Sequence, residues 1–508
     1  MKKKLSTMLL FCCAALLAAP SASPAAQDVL TVGCTYDAKT LDPHVTNDTG
    51  SHVMMRQIYE KLVAFDDNLN VVPCLAESWE ISEDGKRYTF HLKKGVKFHN
   101  GEEMKASDVL FSFKRMLSPA AAATHAYSNV IDPDGFELID DYTVVISTKE
   151  PLGAFLASMN HGFASIVSEK AVTEAGKDYG VHPVGTGAFK FVSWSKGDRI
   201  TFERFDDYHG QKAALSKMVL RAITESTSRT IELESGAVDL IMDPPGSDIN
   251  RLEANKNLTI VRRPGQLVYH MGFNLDKEPY NDIKVRQAMN IAVNRPGMAK
   301  VVYRGFASPS VGPWTDAVKY APKNAPQIDY DLEKAKQLLK EAGYENGFKA
   351  VIWVPDRKEQ GDMATILQSE YKKIGIDMEI KVYEWGAYIE ALKAPDHELY
   401  VMGWSGGAPA PDPYFFAGPK FHSSVIGSSN RCRLNDPEVD ALIDKGATLQ
   451  DGAEREKVYQ DLYSKLQNLL PWVVMVNPDQ IFASKKNVMG INYGSSSVTY
   501  FGSAYFGE

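Results

Sequence analysis

The residues with the clearest chemical potential are Gly403-Trp404-Ser405-Gly406-Gly407, which match the pattern G-x-S-x-G. In serine hydrolases this pattern presents a nucleophilic serine on a sharp turn between a strand and a helix. The apolar run Leu399–Met402 that precedes it has the composition of a strand. The same residues could instead form a rigid loop that lines a pocket without any chemistry. The residues that follow Ser405 distinguish these two interpretations.

The residues after Ser405 argue against the hydrolase interpretation. The nucleophile turn needs a helix that begins directly after the serine, whereas residues 409–413 contain three alternating prolines. Proline lacks a backbone N–H and pushes the preceding residue out of the helical region, so that helix cannot form. His422 is the only histidine after Ser405 and Asp412 is the only acid between them, which leaves too little chain for a triad.

Other catalytic or metal-binding patterns are absent from the sequence. It contains no H-E-x-x-H and no pair of cysteines or histidines at zinc spacing. Gly185-Thr186-Gly187 resembles part of a phosphate loop, but it leads into a strand pattern and not into a helix. The sequence therefore predicts a protein that is not an enzyme and has neither a metal nor a cofactor.

The N-terminal residues have the features of a secretory signal peptide. Three lysines at 2–4 precede an apolar stretch over residues 5–19 and small residues at 22–26, which predicts cleavage near Ala25. The two cysteines of this segment lie within the apolar stretch, so we expect no lipid anchor. Removal of residues 1–25 takes away three lysines and no acid, which changes the formal net charge from −8 to about −11. We expect a periplasmic protein that binds neither nucleic acid nor an anionic membrane.

Cys34, Cys74 and Cys432 remain after the predicted cleavage, far apart in the sequence. An odd number of cysteines allows at most one disulfide among them in an oxidising compartment. We expect Cys34 to pair with Cys74; the alternative is three buried free thiols.

The arrangement of turn and helix signals predicts two different kinds of structure. Residues 66–185 carry hairpin signals such as Asp84-Gly85 and a helix with Ser107 as its N-cap, which predict a hairpin-rich α+β unit. Residues 277–480 alternate between strand and helix patterns, which implies a sheet with helices on its faces. Before both, a strand is followed by a helix predicted to carry Met55, Ile58, Leu62 and Val63 on one face. A chain of this length is expected to form two or three domains.

Two long stretches, at 75–117 and 280–309, closely resemble the signature regions of the periplasmic solute-binding proteins of peptide-type ABC importers. Shorter blocks such as VGTGAFKF, LESGAVDLI and YEWGAYIEAL match the family in the same order. The resemblance implies an α/β fold of two lobes, the type II periplasmic binding protein fold, with an extra α+β domain inserted in lobe one. The implied domains are lobe one at 27–65, 186–276 and 481–508, the extra domain at 66–185, and lobe two at 277–480.

The function implied by this resemblance is capture of a solute between the lobes and delivery to an ABC permease in the inner membrane. Such a protein is expected to be a monomer without catalytic residues. A peptide or peptide-like solute is the first expectation; an oligosaccharide, an opine or a metal complex is the alternative within the family. A secreted serine hydrolase is the alternative from another class of protein.

The expected ligand-binding residues come from loops that match the ligand-contacting loops of the family. They are Thr46, Asn47, Asp48, Thr49, Gly50, Trp385, Tyr388, Trp404, Ser405, Gly406, Gly407 and Arg431. We expect Trp404 to stack on the ligand, the glycines to admit its close approach, and Arg431 to bind a carboxylate.

One position departs from the family pattern. Family members that bind peptides place an aspartate about three residues after the tryptophan, where it pairs with the free amine of the ligand. Gly407 occupies this position, and Asp412 is the first acid after Trp404. A buried ammonium needs an opposite charge, so the sequence gives no partner for a free amine in this loop.

Overall fold

The computed structural model describes residues 27–46, 48–66, 68–119, 121, 127–405, 411–494 and 498–507. The predicted signal peptide lies outside these residues. Within them, no helix is long and apolar enough to cross a membrane.

The strands of the described residues are distributed along the whole chain. In chain order they are β1 (Val29–Cys34), β2 (Val63–Phe65), β3 (Val71–Pro73), β4 (Ala76–Ile81), β5 (Arg87–Leu92), β6 (Ile131–Asp140), β7 (Thr143–Thr148), β8 (Phe189–Ser195), β9 (Arg199–Arg204), β10 (Lys217–Ala222), β11 (Leu240–Met242), β12 (Leu258–Pro264), β13 (Val268–Phe273), β14 (Ala307–Pro309), β15 (Phe348–Pro355), β16 (Ile376–Tyr383), β17 (Leu399–Trp404), β18 (Trp472–Lys485), β19 (Val488–Met489) and β20 (Tyr505–Phe506).

The helices of the described residues are most frequent in the second half of the chain. They are α1 (Thr49–Met55), α2 (Ala106–Met116), α3 (Phe155–Ser158), α4 (Glu169–Ala175), α5 (Ser226–Ser235), α6 (Ile249–Glu253), α7 (Ile283–Ile291), α8 (Arg295–Tyr303), α9 (Leu332–Glu341), α10 (Lys358–Lys372), α11 (Trp385–Ala391), α12 (Pro413–Phe421), α13 (Pro437–Thr448) and α14 (Ala453–Leu469), with short 3-10 turns at Gly162–Ala164, Gly176–Val181 and Ser423–Val425.

One mixed sheet extends through most of the molecule, in the order β16-β15-β17-β13-β18-β11-β1-β10-β9-β8, and β12 and β14 also pair with β18. Strand β18 joins its two parts, because residues 472–476 pair with β13 whereas residues 482–484 pair with β11. We call β1 and β8–β12 the first half-sheet, and β13–β17 the second half-sheet. Each half-sheet has its own apolar core.

The strand and helix alternation predicted for residues 277–480 is confirmed in the second half-sheet. Strands β15, β16 and β17 are parallel neighbours with helices between them. On β17, Val401 packs into one core and Met402 into a core on the opposite face, so both faces are covered. That is the reason for the nearly continuous apolar sequence of this strand.

Residues 76–148 contain a separate antiparallel sheet in the order β4-β5-β7-β6. The predicted hairpin at Asp84-Gly85 joins β4 and β5, and Gly85 has a φ of +70°, which favours glycine. Helix α2 packs on this sheet, but Ser107 as its N-cap is wrong. The helix begins at Ala106 because the Asp108 carboxylate reaches back to accept a hydrogen bond from the Lys105 backbone N–H at 3.0 Å.

The helix predicted to extend through Val63 is also shorter than expected. Helix α1 ends at Met55, and Val63 belongs to strand β2. Ile58 is buried beyond the helix, where its carbonyl accepts a hydrogen bond from the Gly187 N–H at 2.8 Å. Tertiary pairing with another part of the chain therefore ends the helix, although the apolar spacing continues.

The expected disulfide between Cys34 and Cys74 is wrong. Cys34 is a buried free thiol at the end of β1, in the core of the first half-sheet. Cys74 follows β3 and is a partly buried free thiol whose Sγ lies 3.8 Å from Glu60 Oε1. Cys432 is a buried free thiol, so the alternative is confirmed in that all three thiols are free, whereas the expected burial holds for Cys34 and Cys432 but not fully for Cys74.

Two chain segments pass between the half-sheets side by side. One connects β12 to β13 through residues 265–267, and the other lies within β18 near residues 476–479. The Asn477 side-chain amide donates to the Leu267 carbonyl at 3.0 Å. A Cβ on Gly265 would lie 2.3 Å from the Pro478 carbonyl oxygen, so only glycine fits at this crossing.

Candidate functional site

The parallel strands of both half-sheets end toward the crossing segments. In the second half-sheet, Trp404 at the end of β17 pairs with Val268, the first residue after the crossing. In the first half-sheet, the N–H of Asp243, which follows β11, donates to the Ile481 carbonyl next to the other crossing. Ligands of open α/β sheets bind beyond the carboxyl ends of the strands. The loops after these strands therefore form the two walls of a candidate site, one on each half-sheet.

The wall on the first half-sheet contains a cavity of about 430 Å³. Its lining residues are Cys34, Thr35, Tyr36, Asp48, Gly50, Val53, Met54, Met242 and Asp243. Two of them, Asp48 and Gly50, were predicted as binding residues. Tyr36 is 57% exposed at this wall, which leaves an aromatic surface open to a ligand.

Asp48 also has a structural role in this wall. Its carboxylate caps α1 through the N–H of Ser51 at 2.9 Å and forms an ion pair with Lys39 at 3.2 Å. Partial burial alone would raise the pKa of Asp48, but these hydrogen bonds and the Lys39 charge lower it. Thr46 supports the same turn, since its hydroxyl accepts a hydrogen bond from the Asp48 N–H at 3.2 Å. Thr49 is the first residue of α1.

Asp243 is the acidic group of this wall that the sequence interpretation missed. It follows β11 in the left-handed region, at a φ of +48°, and its carboxylate accepts a hydrogen bond from the Thr35 hydroxyl at 3.2 Å. Enclosure by the cavity walls raises the pKa of this carboxyl, although the side chain remains accessible. Nearby Arg229 directs its guanidinium to backbone carbonyls, including that of Met242 at 3.0 Å. Among the described residues, no cation forms an ion pair with Asp243.

The wall on the second half-sheet begins with the loops after β15 and β16. Arg357 follows β15, and its guanidinium carbon lies 3.8 Å from the centroid of the Trp385 ring. Trp385 is 38% exposed, so the predicted residue offers an open aromatic surface. Tyr388 is fully buried and its hydroxyl donates to the Val401 carbonyl at 2.6 Å. Tyr388 thus supports the wall from behind and has no surface through which to contact a ligand.

Trp404 is fixed in this wall by two contacts. Its indole N–H donates to the Phe416 carbonyl at 3.1 Å, and the Lys420 ammonium lies 3.8 Å from the centroid of its ring. The sequence interpretation missed Lys420, which is only 7% exposed. Burial, with a further contribution from the charge of Arg431, lowers the pKa of Lys420 to about 7. One face of the Trp404 ring is therefore already occupied by the amine of Lys420.

Arg431, a predicted binding residue, contacts β17, the strand that ends at Trp404. One of its terminal nitrogens is 3.3 Å from the Sδ of Met402, and its buried Nε has no hydrogen-bond partner among the described residues. The structure thus brings Trp404, Lys420 and Arg431 together. Gly406 and Gly407, which were predicted to belong to the same site, lie outside the described residues, as does Asn47.

Ser405 does not have the surroundings of a nucleophile. It is exposed at the end of β17, and the next helix in the described residues, α12, begins at Pro413. His422 contacts the Ser424 hydroxyl at 2.7 Å and the Asp444 carboxylate at 3.2 Å. In the described part of the chain no hydrogen bond joins His422 to Ser405.

Asp412 is also unavailable to a ligand. It caps α12 through the Tyr414 N–H at 3.0 Å, and both of its oxygens bind the guanidinium of Arg455, at 2.6 and 2.9 Å. Both partners of this ion pair are almost fully buried. The first acid after Trp404 is therefore part of the framework behind the wall.

Comparison with known proteins places this geometry in a family. A model of "Bacterial extracellular solute-binding proteins, family 5 Middle" matches residues 70–426. The chain is 34% identical to heme-binding protein A of Haemophilus influenzae, over 84% of this chain and 83% of that protein. It is 32% identical to the glutathione-binding protein GsiB of Pectobacterium atrosepticum, over 94% of each. The ABC transporter-associated periplasmic binding protein DppA of Helicobacter pylori, solved with the peptide STSA, is 33% identical and superposes with a TM-score of 0.76, covering 95% of this chain and 98% of that one.

Proposed function

The chain belongs to family 5 of the bacterial extracellular solute-binding proteins, and we propose that it captures a peptide-like solute between two lobes and delivers it to the permease of an ABC importer. The observation that carries this proposal is the convergence of parallel strand ends from both half-sheets at the two crossing segments. Glutathione and a tetrapeptide are bound by relatives that align over nearly the whole chain.

The mechanism follows from the two crossing segments. In our proposal, lobe one comprises 27–65, 186–276 and 481–508, the extra domain 66–185, and lobe two 277–480. A ligand that contacts Asp243 on one wall and Trp404 on the other makes both contacts only when the lobes approach each other. Such differential contacts shift the population from open to closed lobes. The permease then recognises the closed form.

The proposed contact residues are the members of the two walls that line the cavity, are at least partly exposed or carry a charge. They are Tyr36, Asp48, Gly50 and Asp243 on lobe one and Arg357, Trp385, Trp404, Ser405, Lys420 and Arg431 on lobe two. The proposed site also includes the other residues of the predicted loops: Thr46, Asn47, Thr49, Gly406 and Gly407. In this assignment Asp243 takes the place of the missing acid at 407 as the partner of a ligand amine.

A ligand without a free amine is the second candidate. It is favoured by Gly407 in the sequence and by the engagement of Asp412 with Arg455. Oligosaccharides, opines and metal complexes belong to this class. We further propose that the mature protein is a periplasmic monomer, released from residues 1–25, and that it does not transform its ligand.

The proposal is tested by titration of the purified protein with a peptide pool while tryptophan fluorescence and the radius of gyration are followed. Trp385 and Trp404 both lie in the proposed wall, so we expect a saturable fluorescence change and a smaller radius of gyration. The peptides should be recovered unchanged by chromatography. A saturable signal without any change in the radius, or peptides that are consumed, would contradict the proposal.

A further inference from the structure

Arg229 is a buried arginine whose guanidinium connects two loops in the wall of the first half-sheet. The residue lies on α5 and is 2% exposed. One of its terminal nitrogens donates to the carbonyls of Ile223, at 2.6 Å, and Thr224, at 3.1 Å, which follow β10. Its Nε donates to the Met242 carbonyl at 3.0 Å, and the other terminal nitrogen donates to the Asp243 carbonyl at 2.8 Å. Buried carbonyls need a partner, and a single side chain supplies one at the ends of two strands.

The two strands that Arg229 connects do not pair with each other. In the first half-sheet β1 lies between β10 and β11 and is parallel to both. The Arg229 side chain lies beside Gly33 of β1, where a Cβ would be 3.8 Å from the Arg229 Cγ. Arg229 therefore joins the carboxyl ends of β10 and β11 across β1, at the edge of the sheet where ligands of α/β proteins bind.

The contact with Arg229 fixes one of the two polar groups of the Asp243 backbone. The other group, the N–H, donates to the Ile481 carbonyl at 2.9 Å. Between these two hydrogen bonds Asp243 has a φ of +48°, in the left-handed region that most residues avoid. The two bonds thus hold the turn from which the carboxylate reaches the Thr35 hydroxyl and the cavity.

Arg229 also places a positive charge near this carboxylate. Among the described residues, no acid forms an ion pair with Arg229, whose N–H groups are directed to carbonyls. Enclosure raises the pKa of Asp243, whereas the Thr35 hydrogen bond and the charge of Arg229 lower it. A nearby opposite charge favours the ionised form of a carboxyl.

The remaining ionisable groups near Asp243 are neutral, acidic or already paired. Cys34 is a neutral thiol, because burial raises its pKa to about 12. The others are Tyr36 after β1, Glu225 at the N-cap of α5, Asp48, which is paired with Lys39, and Asp479 of β18, which is paired with Arg262. Of the charges in this group, that of Arg229 is the one that offsets the enclosure of Asp243.

We infer that Arg229 is the positioning residue for Asp243: it holds the turn after β11 and supplies the positive charge that favours the carboxylate. The inference rests on the proposed function, in which Asp243 binds an amine of the ligand, and it specifies a solute with a protonated amine. Arg229 itself does not touch the ligand in this assignment, because its side chain is buried and four of its five N–H donors are directed to backbone carbonyls.

The pH dependence of amine binding distinguishes this role from general stabilisation of lobe one. Binding of an amine weakens as the pH falls and Asp243 takes up a proton, because a neutral carboxyl loses the charge-assisted hydrogen bond. Without the charge of Arg229 the pKa of Asp243 is higher, so this loss should begin at a higher pH. Arg229→Lys keeps the charge but not the planar set of donors, so it should keep the pH dependence and bind amines more weakly.

The test is calorimetry of the full mature protein with Ala-Glu and N-acetyl-Ala-Glu at pH values from about 4 to about 7. The ratio of the two affinities reports recognition of the amine alone. We expect Arg229→Met to lower this ratio at pH 7 by about fivefold or more, as for the loss of a hydrogen bond to a charged group. The midpoint of its pH dependence should move upward by about one pH unit. Arg251→Met, which removes the same charge at a half-exposed arginine of lobe one, should change neither quantity.

An equal loss of affinity for both probes with an unchanged midpoint would show a purely structural role and refute the inference. A wild-type ratio in Arg229→Met would refute it as well, while the proposed function stands. If the wild-type protein binds both probes equally, Asp243 is not the amine partner, and the inference fails together with that contact of the proposed function. If the wild-type protein binds neither probe, the peptide-like ligand fails, and the inference fails with it.

Unfolding temperatures of the empty variants show whether each is folded. If Arg229→Met does not fold, Arg229→Lys carries the test. A ratio in Arg229→Lys equal to that of the wild-type protein at pH 7 would then refute the inference.

Discussion

Arg455 holds Asp412 in a buried bidentate ion pair, with N–O distances of 2.6 and 2.9 Å and exposures of 2% and 3% for the two residues. The pair anchors the first turn of α12 to α14. It explains why the nearest acid in the sequence does not replace the aspartate that peptide binders of this family carry. The acid stabilises the wall, and its two carboxylate oxygens are already bound by Arg455.

Asp412→Asn should destabilise the protein by about 3–5 kcal/mol, because it leaves the Arg455 guanidinium buried without its counter-charge. Denaturant unfolding measures this change. Asp461→Asn, in the helix that carries Arg455, is a matched control, since the exposed pair of Asp461 with Lys457 contributes at most about 1 kcal/mol. An Asp412→Asn protein of unchanged stability that no longer binds ligand would show that Asp412 is a contact residue.

Asp243→Asn should weaken ligand binding without lowering the stability of the protein. The pKa of Asp243 is raised in the folded protein, so its carboxyl favours folding below its unfolded pKa, and this contribution is lost as the pH rises through the folded value. The variant should therefore unfold at the same or a higher temperature at pH 7, and asparagine tolerates the left-handed backbone of this position.

Affinity of the same variant for a ligand with a free amine should fall by about tenfold or more, because a charge-assisted hydrogen bond is lost. Calorimetry with Ala-Glu and its N-acetyl form measures this effect. We expect the N-acetyl form to bind wild type and variant equally. Equal affinity of both proteins for the free-amine probe would remove Asp243 from the site.

Gly265→Ala should disturb the crossing between the lobes. The new methyl group would lie 2.3 Å from the Pro478 carbonyl oxygen, so the two segments must separate at a cost of about 1–3 kcal/mol. Thermal unfolding and ligand-induced change in the radius of gyration should both be affected. Gly361→Ala in α10 is the control, because a Cβ meets open space there and helix propensity improves. Normal closure and stability in Gly265→Ala would contradict the proposed hinge.

Thiol titration of the mature protein tests the assignment of three free cysteines. Burial raises the pKa of both Cys34 and Cys432 to about 12, so both should react slowly in the native state. After unfolding without a reductant, all three thiols should react rapidly. A single reactive thiol under those conditions would restore the disulfide between Cys34 and Cys74.

The sequence was sufficient for features that depend on local patterns. The Asp84-Gly85 hairpin, the strand before Trp404 and the alternation beyond residue 277 follow from turn chemistry and apolar spacing. The end of α1 at Met55 could not be predicted, because it depends on a hydrogen bond from distant Gly187. Turn chemistry and apolar spacing are local, whereas pairing across the chain is not.

The candidate site likewise combines residues that the sequence identifies with residues that only the packing reveals. Trp404 stands out in the sequence because glycines follow it at the end of a strand. In the sequence, nothing distinguishes Lys420 from an ordinary surface lysine. Only the packing of α12 against β17 shows that Lys420 is buried against the Trp404 ring. Asp243 could have been noticed as an acid directly after the short strand β11, at the carboxyl end where ligands of α/β sheets bind.

Native mass spectrometry of the mature protein with glutathione and a peptide pool tests the central claim most directly. We predict a non-covalent complex with one solute per protein molecule, whose solute is released on unfolding with its mass unchanged. The complex should be lost in the double variant Asp243→Asn with Lys420→Met. A solute released with an altered mass, or a covalent adduct on Ser405, would contradict a solute-binding function and restore the hydrolase.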